Sequence, residues 1–210
     1  MNLLGIESSS RKLSVGLMKK DSFSELHSEK INDTANSLPL LSKKIINNAS
    51  LSFENLDAIC ISSGPGSFTG LRVGMSYAKG IAMVLDIPIV PVSTFDSLAY
   101  KNTCEKMSTL IHSHGKTFYI CEFSTDNGIL LKSSEPKSIL KKNVLKLSHN
   151  IFFNGPSHIF EDLKAHNLKI EFTDLSVNNI LKIAHQNFKL LKTKSLDNLV
   201  PDYIGNFEVK

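Results

Sequence analysis

Gly64-Pro65-Gly66-Ser67-Phe68-Thr69-Gly70-Leu71-Arg72 is the stretch whose reading decides the fold. It follows the apolar run Leu56-Asp57-Ala58-Ile59-Cys60-Ile61-Ser62 and opens a helix-like stretch from Leu71 to Leu85. A second strand candidate, Ile87-Pro88-Ile89-Val90-Pro91-Val92, comes next. Strand, glycine-rich turn, helix, strand is the order of a phosphate-cradling α/β unit. The glycines and Pro65 allow a tight turn with its N–H groups facing outward. Ser67 and Thr69 add hydroxyls, and Arg72 adds a cation near the loop mouth. A crossover kept for shape alone is the competing reading. No Lys-Ser or Lys-Thr pair follows the last glycine, and Gly-x-Gly-x-x-Gly spacing is absent. Both familiar nucleotide-loop labels therefore fail.

Working outward, Asn2 to Ile6 and Lys12 to Met18 read as two strands joined by Ser8-Ser9-Ser10-Arg11, and Ser22 to Ser28 as a third. Asp33 or Thr34 caps a helix to about Asn48, with Leu38, Leu41, Ile45 and Ile46 at helical spacing. Ser93-Thr94-Phe95-Asp96 opens a third helix expected to reach about Lys106. The order suits an α/β fold, a mixed sheet with helices packed on it. The second half is less legible. Thr109-Leu110-Ile111 and Thr117 to Phe123 read as strands around His112-Ser113-His114-Gly115. Ile151-Phe152-Phe153 reads as a buried strand, Asn178 to Leu191 as an amphipathic helix, and Lys137 to Lys146 as a lysine-rich helix.

The chain has 210 residues and formal net charge +4. That length suffices for one large domain or two small lobes. The charge excess falls entirely on residues 106–210, where Lys137, Lys141, Lys142 and Lys146 are densest. A solvated lysine face is the favoured reading, with contact to a nucleic-acid backbone as the alternative. No apolar run approaches the ~20 residues of a membrane span, so no membrane association is expected. Cys60, Cys104 and Cys121 lack metal spacing, and Cys60 and Cys121 lie in apolar runs as buried free thiols. With no basic leader before the first strand, a cytoplasmic location is expected.

The helix from Leu71 to Leu85 has two apolar stripes. Gly70, Gly74, Ala78 and Ala82 form one of small residues, and Val73, Tyr77, Ile81 and Val84 form one of bulky residues. A helix apolar nearly all round is buried in a core or covered by a partner. If the small stripe faces a partner, Gly74→Leu and Ala78→Leu break pairing and spare the fold. If both variants unfold, the stripe belongs to the core.

Three segments together resemble one family: Leu3-Leu4-Gly5-Ile6-Glu7-Ser8-Ser9, the Gly64–Arg72 run, and Ile87-Pro88-Ile89-Val90-Pro91-Val92-Ser93-Thr94-Phe95. It is the TsaB (YeaZ) family, which serves formation of N6-threonylcarbamoyladenosine in tRNA. The resemblance is dense over residues 1–100 and thin afterwards, with an echo at Val200-Pro201-Asp202-Tyr203. It implies the RNase H-like fold of actin, Hsp70 and sugar kinases, in two lobes with the second reduced. Residues 1–105 would form the first lobe and residues 106–210 the second, with the C-terminal segment returning to the first.

The resemblance further implies a non-catalytic subunit that pairs with the metal-bearing relative TsaD and activates it, with a TsaE-like ATPase joining. The modification falls at position 37 of tRNAs reading codons that begin with A. Alone, such a chain is expected to form a homodimer. The implied pairing surface is Leu38, Leu41, Ile45, Gly70, Val73, Gly74, Tyr77, Ala78 and Ile81. Glu7, Ser8, Gly64, Pro65, Gly66, Ser67, Thr69, Gly70 and Arg72 remain a phosphate or nucleotide loop or a purely structural one. No catalytic or metal-binding residue is assigned and no tight cofactor is expected. ATP and metal would belong to partner subunits.

Two departures from the family's pattern stand out. Asp33 sits where many members keep a histidine, and His112-Ser113-His114 replaces an Asp-Ala-Arg-like turn. The transferase's His-x-x-x-His motif has no counterpart at Asn32 to Pro39. His112 and His114 at i and i+2 are read as turn residues rather than metal ligands. Two rivals remain. One is a free-standing phosphotransferase using Glu7 with the serine and glycine loops. The other is a metallopeptidase of the glycoprotease type.

Overall fold

The structure, a computed structural model, describes residues 1–20, 22–100 and 102–204. It divides into two units, Met1–Ser97 with Ser176–Asp202, and Leu98–Leu175 with the residues from Tyr203. The division thus falls between Ser97 and Leu98, not between residues 105 and 106, and Ser176–Asp202 is part of the first unit.

The first unit is built on a five-stranded sheet. Its strands are β1 (Asn2–Glu7), β2 (Ser14–Lys19), β3 (Ser22–His27), β4 (Ala58–Gly64) and β5 (Ile89–Ser93), in the order β3-β2-β1-β4-β5. β1, β4 and β5 run parallel, whereas β2 is antiparallel to β1 and β3. Helices α1 (Thr34–Asn48) and α2 (Phe68–Leu85) pack with this sheet, and α3 (Thr94–Ala99) follows β5. Leu4, Ile6, Leu38, Ile45, Ile46, Ile59, Ile61, Met75 and Ala78 share one buried cluster. Each large aliphatic side chain buried there contributes roughly 1.5–3 kcal/mol.

The other face of the sheet explains why the chain returns. Gly5 and Gly16 are cross-strand partners in β1 and β2. A Cβ on Gly5 would lie 2.7 Å from the Val177 side chain, and one on Gly16 would lie 2.9 Å from both Val177 and Leu181. The paired glycines form a trough that receives helix α6 (Val177–Gln186). β1 is therefore covered on both faces, which is why it reads as a continuous apolar run rather than an alternating one. Beyond a short helix, Phe188–Leu191, Thr193 exchanges both backbone hydrogen bonds with Ile89 and caps the β5 edge. Asn187 separates the two helices, so the single amphipathic helix expected from Asn178 to Leu191 is interrupted.

The second unit has a six-stranded sheet. β6 (Lys106–His114), β7 (Thr117–Asp126), β8 (Ile129–Lys132), β10 (Asn150–Asn154) and β11 (Ile170–Phe172) lie in the order β11-β10-β6-β7-β8, and β9 (Lys137–Leu140) also pairs with β7. Its core joins Leu110, Phe118, Ile120, Val144, Ile151, Phe153 and Leu163. Helix α4 (Lys141–Val144) is short and α5 (Ser157–Lys164) follows β10. The lysine-rich stretch is thus a strand followed by one helical turn, because Lys137–Leu140 finds hydrogen-bond partners in Ile120–Thr117. The third helix stops at Ala99 instead of reaching Lys106, where β6 begins. Among the described residues, no helix is long and apolar enough to cross a membrane.

Candidate functional site

The glycine loop connects β4 to α2, and its geometry follows from what its glycines touch. Gly64 has φ +117, a conformation that L side chains rarely adopt, and precedes a cis peptide bond to Pro65. A Cβ on Gly66 would lie 2.2 Å from the Ser9 carbonyl oxygen, and one on Gly70 would lie 2.1 Å from that of Ser8. One on Gly74 would lie 2.2 Å from the Ser8 Oγ. These glycines let the loop and the first turns of α2 lie directly on the serine turn after β1.

Three of the loop's backbone donors are spent within the fold. Ser67 N donates to Ser9 O at 2.6 Å. Ser67 caps α2, accepting from Gly70 N at 3.2 Å on Oγ and from Leu71 N at 2.9 Å on its carbonyl. Outward-facing N–H groups, as a phosphate cradle needs, are not what Ser67, Gly70 and Leu71 provide. Those three donors turn inward. The loop also holds the returning chain: Ser63 Oγ donates to Asp202 Oδ2 at 2.6 Å, and Asp202 N donates to Ser63 O at 2.7 Å.

Glu7 lies beneath this assembly with 0% exposure. Its Oε1 accepts from Ser9 N at 2.7 Å and Ser9 Oγ at 2.5 Å, while Oε2 has no partner among the described residues. Burial pushes its carboxyl up to about 7, and the Ser9 hydrogen bonds oppose that rise. Since the folded-state value exceeds the ordinary 4.5, the group favours the fold below pH ~4.5 and loses that contribution as pH rises through 7. We expect a stability loss on the order of 3 kcal/mol across this window. Urea unfolding of the wild type at a series of pH values checks it, with Glu7→Gln expected to flatten the slope.

The predicted pairing residues divide in a way the sequence did not anticipate. Leu38, Ile45, Gly70, Gly74 and Ala78 are buried inside the first unit. Gly74 meets Ser8 and Ile61, and Ala78 and Ala82 join the sheet-facing cluster. The small-residue stripe is the core face of α2, not a pairing face, and Leu38 and Ile45 are core residues of α1. Leu41, Val73, Tyr77 and Ile81 are half-buried. The side chains left in solvent are Leu40 on α1, 70% exposed, and Met83 and Val84 on α2, 68% and 83% exposed. Phe68 and Arg72 lie at the other end of α2, the guanidinium 3.8 Å from the ring centroid. Sequence reading missed Leu40 and Met83 because periodicity identifies a shared face without telling which face meets the sheet.

In the second unit, Ser108 Oγ lies 2.6 Å from His149 Nε2, a Ser–His pair separated by 41 residues. Ser108 has 0% exposure, so no substrate carbonyl reaches its hydroxyl. Burial lowers the His149 pKa, consistent with a neutral ring in a structural hydrogen bond. His112 Nε2 engages Gly115 O at 3.1 Å, and a register shift separates it from His114. No group of three or more metal-ligating side chains occurs among the described residues. Cys60 and Cys121 are buried and held in no disulfide, and burial raises the Cys60 thiol.

Comparison with known proteins places this geometry in context. The family model described as "TsaD: tRNA N6-adenosine threonylcarbamoyltransferase" matches residues 24–196. A "tRNA threonylcarbamoyladenosine biosynthesis protein TsaB" from Buchnera aphidicola of Schizaphis graminum is 30% identical over 149 residues, 69% of this chain and 70% of that protein. The Escherichia coli strain K12 protein of the same description is 26% identical across 98% of this chain and 95% of its own length. Among solved structures, YeaZ from Pseudomonas aeruginosa superposes with a TM-score of 0.79 at 18% identity, covering 97% of this chain and 99% of that one. That likeness establishes that the chain shares the mixed α/β fold of YeaZ. Taken with the match to the family model, it means the chain belongs to the TsaB (YeaZ) family, within the wider TsaD family.

Proposed function

We propose that this protein is a non-catalytic subunit in the formation of N6-threonylcarbamoyladenosine in tRNA. In this reading it pairs with a TsaD-like transferase and raises its activity. The observation that carries the proposal is the exposure of large apolar side chains on α1 and α2, with Leu40, Met83 and Val84 each at least 68% exposed. Apolar side chains left this exposed on two neighbouring helices suit a protein–protein contact. The half-buried Leu41, Val73, Tyr77 and Ile81 extend the apolar surface of the same two helices. Support also comes from the relatives, whose names assign them to threonylcarbamoyladenosine biosynthesis. A contact that favours one state of the partner shifts its population without any catalytic group in this chain. Alone, the chain covers these side chains with a second copy. ATP, metal and a TsaE-like ATPase enter through the partner side, and the complex works in the cytoplasm.

The test is reconstitution of tRNA modification with the transferase of the same organism, with and without this chain. Product formation is expected to depend on the chain. The double variant Met83→Lys/Val84→Lys is expected to lose this dependence while its unfolding free energy stays within about 0.5 kcal/mol of wild type. Unchanged activity with the double variant would remove the helix face from the account.

A further inference from the structure

The chain that follows α6 leaves a pocket in the first unit, and its hydrogen bonds show why. Thr193 exchanges both backbone hydrogen bonds with Ile89 on the outer edge of β5. Pro91, two residues on, turns its nitrogen to the same edge but has no N–H. The antiparallel pairing therefore cannot extend to Leu191, and contact with the edge is confined to Ile89. Beyond Thr193 the chain reverses through a turn in which Leu199 N donates to Leu196 O. It reattaches at the end of β4, where Ser63 and Asp202 share two hydrogen bonds.

Between these two attachments lies a pocket of about 400 Å³, within the size range of small-molecule sites. It sits at the carboxyl ends of the parallel strands β4 and β5, where open α/β sheets commonly receive ligands. Val92, Ile183, Leu191 and Leu199 give it an apolar lining, and Val92 and Ile183 are buried. Ser63, Ser93, Asp96, Asn198 and Asp202 supply its polar atoms. Lysine, arginine and histidine are absent from the described residues that line it.

This lining selects by charge. The whole chain has a formal net charge of +4, so its overall field favours anions over cations. The pocket reverses that preference locally, because its charged side chains are the carboxylates of Asp96 and Asp202. An anion entering it would lose solvent beside like charge. An ammonium group brings N–H donors that match carboxylate and hydroxyl acceptors. Aliphatic carbon attached to it would leave water for the apolar lining.

We propose that this pocket binds a small primary amine, with its ammonium group at the carboxylates of Asp96 and Asp202 and its apolar body against Ile183, Leu191 and Leu199. Neither the ligand nor the site rests on the pairing role. The pocket is complete within the first unit, and the isolated chain is enough to test it.

The experiment is an NMR titration of the full chain near neutral pH with probes of matched shape: 3-methylbutylammonium, 3-methylbutanol and 3-methylbutanoate. The ammonium probe is expected to shift the Ser93, Asp96, Leu199 and Asp202 amides along one saturable curve. Its affinity is expected to exceed that of the alcohol roughly tenfold, and the carboxylate probe is expected to leave these amides unmoved. In Asp96→Asn the ammonium probe is expected to bind roughly tenfold more weakly and the alcohol as in the wild type. The alcohol thus separates a lost charge from a disturbed pocket. Three results overturn the proposal: equal affinity for the ammonium and carboxylate probes, no saturable shift of these amides by the ammonium probe, or full ammonium affinity in folded Asp96→Asn. If Asp96→Asn does not fold, the three probes on the wild type decide.

Discussion

Replacing Gly70 by valine is expected to leave the first unit unfolded at room temperature. The position of the new Cβ lies 2.1 Å from the Ser8 carbonyl oxygen. That neighbour is backbone, so no rotamer change relieves the overlap. Ser8 cannot retreat either, because it follows the last residue of β1 and its N–H is held by Ser62 Oγ at 3.2 Å. Helix α2 would have to lift from the sheet, taking Leu71, Met75 and Ala78 out of the core. A loss above about 4 kcal/mol is expected, in the range reserved for core overpacking and backbone strain.

Two other glycines of the same helix provide the scale. Gly74→Ala meets Ser8 Oγ, a side-chain atom that can rotate, so a smaller loss of roughly 1–2 kcal/mol is expected. Gly80 has nothing within 4 Å of its Cβ position, and Gly80→Ala is expected to stabilise by up to about 1 kcal/mol through helix propensity alone. Urea unfolding of the three variants should rank them in that order. A folded Gly70→Val protein of wild-type stability would show that α2 does not sit on the serine turn as described.

Phe153→Ala is the second large effect and falls in the other unit. Phe153 has 0% exposure and lies 6.5, 6.0 and 6.2 Å, centroid to centroid, from Phe118, Phe160 and Phe172. It sits on β10, the strand between β6 and β11, so its ring joins the centre of the sheet to α5. Truncation removes the aromatic contacts and leaves a cavity that the surrounding rings fill incompletely. A loss of about 3–5 kcal/mol is expected. Hydrogen exchange at β6 and β10 should report it, with β1 and β4 amides little affected. Uniform loss of protection across both units would mean that they unfold as one.

The sequence made the β4–loop–α2–β5 crossover legible because its signals are local: an apolar run, a cluster of glycines, a helix cap and a second apolar run. Helix α1 was readable for the same reason, from Asp33 and the spacing of Leu38, Leu41, Ile45 and Ile46. Long-range pairing set the limit elsewhere. Lys137–Leu140 is a strand only because β7 offers it an edge. The return of α6 to the first sheet depends on the coincidence of Gly5 with Gly16, two positions whose register no single-strand pattern reveals. At the candidate site, the loop residues were identified, but the inward direction of the Ser67 and Gly70 amides was not. The alternation of small and bulky residues on α2 likewise implied two faces without saying that Ser8 and Ile61 occupy the small one.

Size-exclusion chromatography with light scattering, on the chain mixed with a TsaD-like transferase of the same organism at micromolar concentration, tests the proposed pairing most directly. The account predicts a stable heterodimer with wild-type chain and none with Met83→Lys/Val84→Lys, both chains being folded. Separate elution of the wild-type proteins, or an intact complex with the double variant, would contradict it.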